Sequence, residues 1–174
     1  MKRLTLLRHA KSSWPDPPLD DFDRPLNARG RGAATLMGAY MAEQGLTPDF
    51  ILCSSAIRTR QTLALILPNF NNAEAHYTDN LYLASPAAMR AQIKTAPDSY
   101  NHVLVIAHNP GIQMLALDLA DRSSADKGAL QKIEHKYPTA GLAYFECAVV
   151  RWSDIVKGAL RLFMTPKMLL QNMD

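Results

Sequence analysis

An arginine and a histidine stand side by side at the end of a short apolar run, "RLTLLRH", and this pair is the first sign of chemistry in the chain. Leu4, Leu6 and Leu7 belong in a core, whereas Arg8 and His9 do not. A second histidine, His108, closes another apolar run, "HVLVIAH", while "FILCSS" ends in Ser54 and Ser55 with Arg58 one helical turn beyond. Arginine presents a planar fork that matches the oxygens of a phosphate. Histidine either attacks phosphorus through a neutral ring nitrogen or donates a hydrogen bond. Two arginines and two histidines at one place therefore suit phosphoryl transfer without a metal or other cofactor. Arg60, about 200° around a helix from Arg58, is expected in solvent.

Convergence requires that these runs be strands of one parallel sheet, whose carboxyl ends share an edge. The intervening sequence agrees. After the first run, the Pro- and Asp-rich segment 15–26 reads as a loop over the strand end. Asn27 is placed to cap a helix with Ala33, Met37, Tyr40 and Met41 on one face, ending near Gly45. "PDFILCSS" gives a second strand, and a helix with Leu63, Ile66 and Leu67 inward stops at Pro68. "EAHYTDNLYL" holds a third strand, followed by Ser85 as cap and Pro86 at the first helical position. Val103 to Ala107 are five apolar residues in succession, the pattern of a strand buried on both faces. A helix with Ile112, Leu115, Ala116 and Leu119 inward follows it.

The polar stretch from Asp121 to Tyr137 is expected to be a surface insertion. "GLAYFECAVVRWSDIVKGALRLFMTP" reads as two strands joined by a turn, an antiparallel edge to a mostly parallel sheet. The alternation predicts an α/β fold, a three-layer αβα sandwich, with residues 1–174 as one domain.

Composition narrows the partners. Nineteen basic against sixteen acidic residues give a net charge of +3, which favours anions only mildly. "ARGRG" opens a helix rather than an RNA-binding segment, so no nucleic-acid partner is expected. No run approaches a membrane span and the start does not resemble a signal peptide. Cys53 and Cys147 lie in apolar stretches as free thiols, consistent with a reducing, cytoplasmic setting.

"LLRHAKSSW" resembles the signature of the histidine phosphatase superfamily, the phosphoglycerate mutase-like fold. "SSAIRTRQT" is similar to its second element, with Arg58, Gln61 and Thr62 in register, and "VLVIAHNPGI" to its third. The resemblance implies that His9 is the nucleophile that becomes phosphohistidine, and that Arg8, Arg58 and His108 hold the transferring group. Two further residues are candidates for substrate binding. Asn27 stands where the family has threonine and reaches the site through its amide, or serves only as the helix cap. Arg24 swings in from the loop, or pairs with Asp21 or Asp23. Pro15 replaces an asparagine that lines the pocket in many members.

The sequence departs from the superfamily at the general acid. Members acting on sugar phosphates carry a carboxylate in a Leu-x-Glu stretch; here the region reads "DNLYLASP", and Asp79 lies on the wrong side of Leu81. Together with "RHAKS" and "DRPLNARG", this makes the chain most similar to SixA-like phosphohistidine phosphatases. Imidazole, with a reference pKa of ~6.5, leaves phosphorus readily without an acid, whereas an alkoxide does not. The resemblance thus implies a phosphohistidine-bearing protein as partner. A small-molecule phosphomonoesterase using Asp16, Asp20 or Asp23 as acid, and a non-catalytic phosphate-binding module, are the alternatives.

Overall fold

Strand β4, His102–Ala107, has no exposed residue and lies inside the sheet of the computed structural model, which describes residues 1–172. It pairs in parallel with β1, Lys2–Arg8, on one side and β2, Phe50–Ser54, on the other. β3, Glu74–Thr78, extends the sheet in parallel beyond β2. β5, Leu142–Cys147, runs antiparallel to β1, and β6, Ala159–Met164, antiparallel to β5. The order β3-β2-β4-β1-β5-β6 is thus the expected, mostly parallel sheet with an antiparallel edge.

Side chains of a strand alternate between faces, so a strand buried on both sides feeds two cores. Val103, Val105 and Ala107 join Leu4 and Leu6 in one core; Leu104 and Ile106 join Leu7 in the other. The first face is covered by α3 (Pro86–Lys94), α4 (Gly111–Leu119) and α5 (Lys127–His135), through Met89, Ile93, Ile112, Leu115 and Ile133. The second is covered by α1 (Ala28–Glu43) and α2 (Ile57–Ile66), through Met37, Met41, Leu63 and Ile66. A short α6, Pro166–Gln171, follows β6, with the Thr165 side chain as its cap.

Several expectations are corrected. Residues 121–137 are not a surface insertion: Asp126 caps α5 by accepting from the Ala129 N–H at 2.7 Å, and Ala129, Leu130 and Ile133 enter the core. Tyr137 is fully buried, its hydroxyl donating to the Leu6 carbonyl at 2.8 Å. Charged residues on the outer face of α5 hide this apolar stripe in the sequence. The last two strands are joined not by a turn but by residues 148–158, anchored by the buried Trp152. In α1 the inward face is Ala34, Met37, Gly38 and Met41, with Ala33 and Tyr40 only half-buried.

Candidate active site

Register sets the centre of the site. Arg8, the last residue of β1, lies opposite Ala107, the last of β4, so the next residues are the two histidines. The His9 N–H donates to the Ala107 carbonyl at 3.1 Å, and the two imidazoles stand 5.2 Å apart, tilted by 50°. Beyond them, the Ala10 N–H donates to Thr62 Oγ1 at 3.0 Å, and that hydroxyl donates to the Arg58 carbonyl at 2.7 Å. β1 is thereby tied to the helix that carries Arg58. α1 is held as closely: the Asn27 N–H donates to the Lys11 carbonyl at 3.0 Å, and a Cβ at Gly30 would lie 2.0 Å from that oxygen. Only glycine fits there.

His9 Nδ1 lies 2.7 Å from the Ala10 carbonyl. A carbonyl only accepts, so Nδ1 carries the hydrogen and Nε2 keeps its lone pair. Burial, opposed by that hydrogen bond and reinforced by the charges of His108, Arg58 and Arg8, lowers the His9 pKa to about 3. The ring is neutral at physiological pH. His108, 1% exposed, is held at about 3 by burial and by Arg58. Its Nε2 meets Ser54 Oγ at 2.7 Å, while Nδ1 is buried without a protein partner. Which of Nε2 and Oγ donates depends on the His108 tautomer; in the one where Ser54 donates to Nε2, Nδ1 carries a hydrogen with no protein acceptor.

The arginines are fixed by the backbone and by one carboxylate. Arg8 Nη1 donates to the Tyr137 carbonyl at 2.9 Å, and its Nε is buried with no partner. Arg58, 3% exposed, donates through Nη1 to the Asp21 carbonyl at 2.6 Å and through Nη2 to Asp21 Oδ2 at 2.9 Å. That leaves three of the five guanidinium N–H groups for another anion. The Tyr82 hydroxyl donates to the same Oδ2 at 2.6 Å, and Arg24 Nη1 to Oδ1 at 2.8 Å. Hydrogen bonds from Tyr82, Arg24 and Arg58 outweigh the opposing effect of burial and hold the Asp21 pKa at about 2. Asp21 is ionised wherever the protein is folded at ordinary pH, and so has no proton to donate.

An open cleft of about 310 Å³ is lined by Arg8, His9, Lys11, Ser12, Trp14, Arg24 and Thr139. Arg58 and His108 are not among its lining residues: Arg58 is bonded to Asp21 of the loop, and Tyr82 stands edge-on to both Phe22 and His108. Arg24 adopts both expected positions at once: it pairs with Asp21, lines the cleft, and lies 3.3 Å over the Trp14 ring. Asn27 does not reach the cleft. Its Oδ1 accepts from the Gly30 N–H at 2.8 Å, so its side chain serves as the α1 cap. Asp16, Asp20, Asp23 and Asp79 are exposed and none lines the cleft, and Arg60 is exposed as expected. Asp21, Tyr82, Ser54, Lys11 and Thr139 were not assigned from sequence, although Tyr82 stands in the stretch searched for an acid. Among the described residues no group of three His, Cys, Asp or Glu is arranged to hold a metal ion.

The sequence profile described as histidine phosphatase superfamily, branch 1, matches residues 4–82, which include Arg8, His9 and Arg58. A solved structure assigned as phosphohistidine phosphatase SixA from Nakamurella multipartitia is 30% identical, with a TM-score of 0.83 over 95% of this chain and 96% of its own. The chain belongs to the histidine phosphatase superfamily. A second superfamily structure, assigned as SixA from Agrobacterium tumefaciens, is 29% identical with a TM-score of 0.80, covering 95% of this chain and 98% of its own. The uncharacterized Mycobacterium tuberculosis protein Rv1276c is 37% identical over 156 residues, 90% of this chain and 96% of that protein. An alpha-ribazole-5'-P phosphatase assignment from Escherichia coli shares the fold at a TM-score of 0.68 and 15% identity.

Proposed function

We propose that this chain is a phosphatase working through a covalent phosphohistidine on His9, and that its substrate is a phosphohistidine on a partner protein. The observation that carries the reading is the pairing of an unprotonated nucleophile with a site whose one bonded carboxylate, Asp21, is locked in its charged form. His9 Nε2 attacks phosphorus in line, and the bond from phosphorus to the leaving nitrogen breaks. Its electron pair stays on a ring that departs as neutral imidazole, because the other ring nitrogen holds a proton. Arg8, Arg58 and the His108 Nδ1–H stabilise the charge on the equatorial oxygens. Water then attacks the phosphoenzyme, the His9–phosphorus bond breaks, and inorganic phosphate leaves. The neutral leaving group removes the need for an acid.

The SixA assignments of the two neighbouring structures support this substrate class. Side-by-side rates on a phosphohistidine protein, p-nitrophenyl phosphate and a panel of sugar phosphates test it. Fast turnover of the first, measurable turnover of the second and negligible turnover of the third are expected. Efficient hydrolysis of an ordinary sugar phosphate would instead favour the small-molecule phosphomonoesterase.

A further inference from the structure

The cleft at His9 does not end there. Through Lys11 and Thr139 it adjoins a narrow passage of about 100 Å³, which continues through Arg29, Ala33 and Lys167 into a groove of about 650 Å³ between α1 and α6. Through Pro138 and Thr165 the same passage meets a trough of about 430 Å³ between α5 and α6. Among the described residues no Asp or Glu lines any of the four. In a chain with nineteen basic and sixteen acidic residues this is a segregation of charge, not a reflection of composition. Lys11 stands where the His9 cleft meets the passage, and beyond the cleft the Arg and Lys residues are Arg29, Lys132, Lys136 and Lys167, all exposed and none in an ion pair among the described residues.

We infer that these connected clefts are the docking surface for an acidic amphipathic helix of the partner protein, which presents its phosphorylated residue to His9. The groove has an apolar floor, with Ala33 and Leu36 from α1 and Leu170, 56% exposed, from α6, and cationic rims at Arg29 and Lys167. A helix with one apolar face flanked by carboxylates matches this arrangement. A small substrate needs only a cleft of ~300 to 1,000 Å³, which the His9 cleft by itself supplies, so the remaining surface is left to a larger partner. Cationic rims also steer an acidic partner toward the site before contact.

The inference rests on the phosphohistidine reading only for what the docked helix carries, and binding is tested without it. A fluorescent, unphosphorylated helical peptide with glutamates flanking an apolar face, and its twin with glutamine in their place, are titrated with the protein by anisotropy. The acidic peptide should bind at least ~10-fold more tightly than the twin, with an advantage that shrinks as salt rises. Arg29→Glu/Lys132→Glu/Lys136→Glu/Lys167→Glu should abolish that preference while p-nitrophenyl phosphate turnover stays within about twofold of wild type. Lys132→Glu and Lys167→Glu singly should weaken it in part, and Lys94→Glu, on α3 outside the clefts, should not. Equal affinity for the twins, or a preference that survives the four reversals, would overturn the docking surface. Binding as expected, with no hydrolysis of the histidine-phosphorylated acidic peptide, would overturn the substrate reading alone.

Discussion

His9 and His108 face each other across the β1–β4 seam with ring centroids 5.2 Å apart, each ring in a single hydrogen bond and neither bonded to the other. Burial and the neighbouring guanidinium charges lower both pKa values to about 3. An imidazole at its reference pKa of ~6.5 would be mostly protonated, and unable to attack, at pH 5. His9 should not be. Phosphoenzyme formation, followed by rapid quench, should therefore hold most of its pH 7 rate at pH 5; a fall tracking a pKa near 6.5 would show that the ring is not held neutral.

The same shift bears on stability. His9, His108 and His102, the last at about 4 and bonded to Thr5 and Thr47, all have folded pKa values below the unfolded one. Between the folded and unfolded values the unfolded chain binds more protons, so stability is full above ~6.5 and is lost as pH falls, by up to roughly 1.4 kcal/mol per pH unit for each group. Asp21 adds its loss lower, as pH falls from its unfolded value toward about 2. Thermal unfolding should show a midpoint that drops steadily from pH 6.5 to 4. His102→Gln should flatten the slope without touching His9 or His108.

Arg58 and Arg60 provide a matched pair on one helix, one 3% exposed and bonded to Asp21, the other in solvent above Tyr77. Arg58→Lys exchanges a fork for a point charge and should lower kcat by roughly 100- to 1,000-fold. Arg60→Lys should stay within about twofold. Steady-state kinetics on p-nitrophenyl phosphate decide it, and equal effects at the two positions would contradict the convergence.

Much of this site was legible in the chain. Three strands end in Arg8–His9, Ser54 and His108, and a parallel sheet must gather those ends; the apolar run 103–107 marked the interior strand that joins them. Asp21 was less visible, because the four aspartates of "DPPLDDFDR" are chemically alike. What selects Asp21 is a one-turn 3₁₀ helix, Asp21–Asp23, that turns it onto Arg58 and Tyr82, a long-range placement with no local signature. Tyr137 and α5 were missed for the opposite reason, since the charges around a three-residue apolar stripe read as surface. Asn27 was read both ways, and the helix cap took its side chain.

Asp21 bears directly on leaving groups. If it were a general acid, Asp21→Asn would slow alkyl phosphates far more than activated esters. Held ionised by Arg24, Arg58 and Tyr82, it instead orients Arg58, so Asp21→Ala should lower kcat by roughly 10-fold for every leaving group alike. Across a series of aryl and alkyl phosphates the wild-type rate should fall steeply with leaving-group pKa, and Asp21→Asn should leave that slope unchanged.

The central claim is that His9 forms the covalent intermediate. Wild-type protein mixed briefly with radiolabelled phosphoryl donor, quenched, and mapped by peptide digestion should carry one acid-labile, base-stable phosphoryl group on His9, formed no more slowly than kcat. His108→Ala should still form it, at a reduced rate, and His9→Ala should neither form it nor turn over. A His9→Ala protein that keeps most of the wild-type rate, or label found on another residue at a competent rate, would contradict the account.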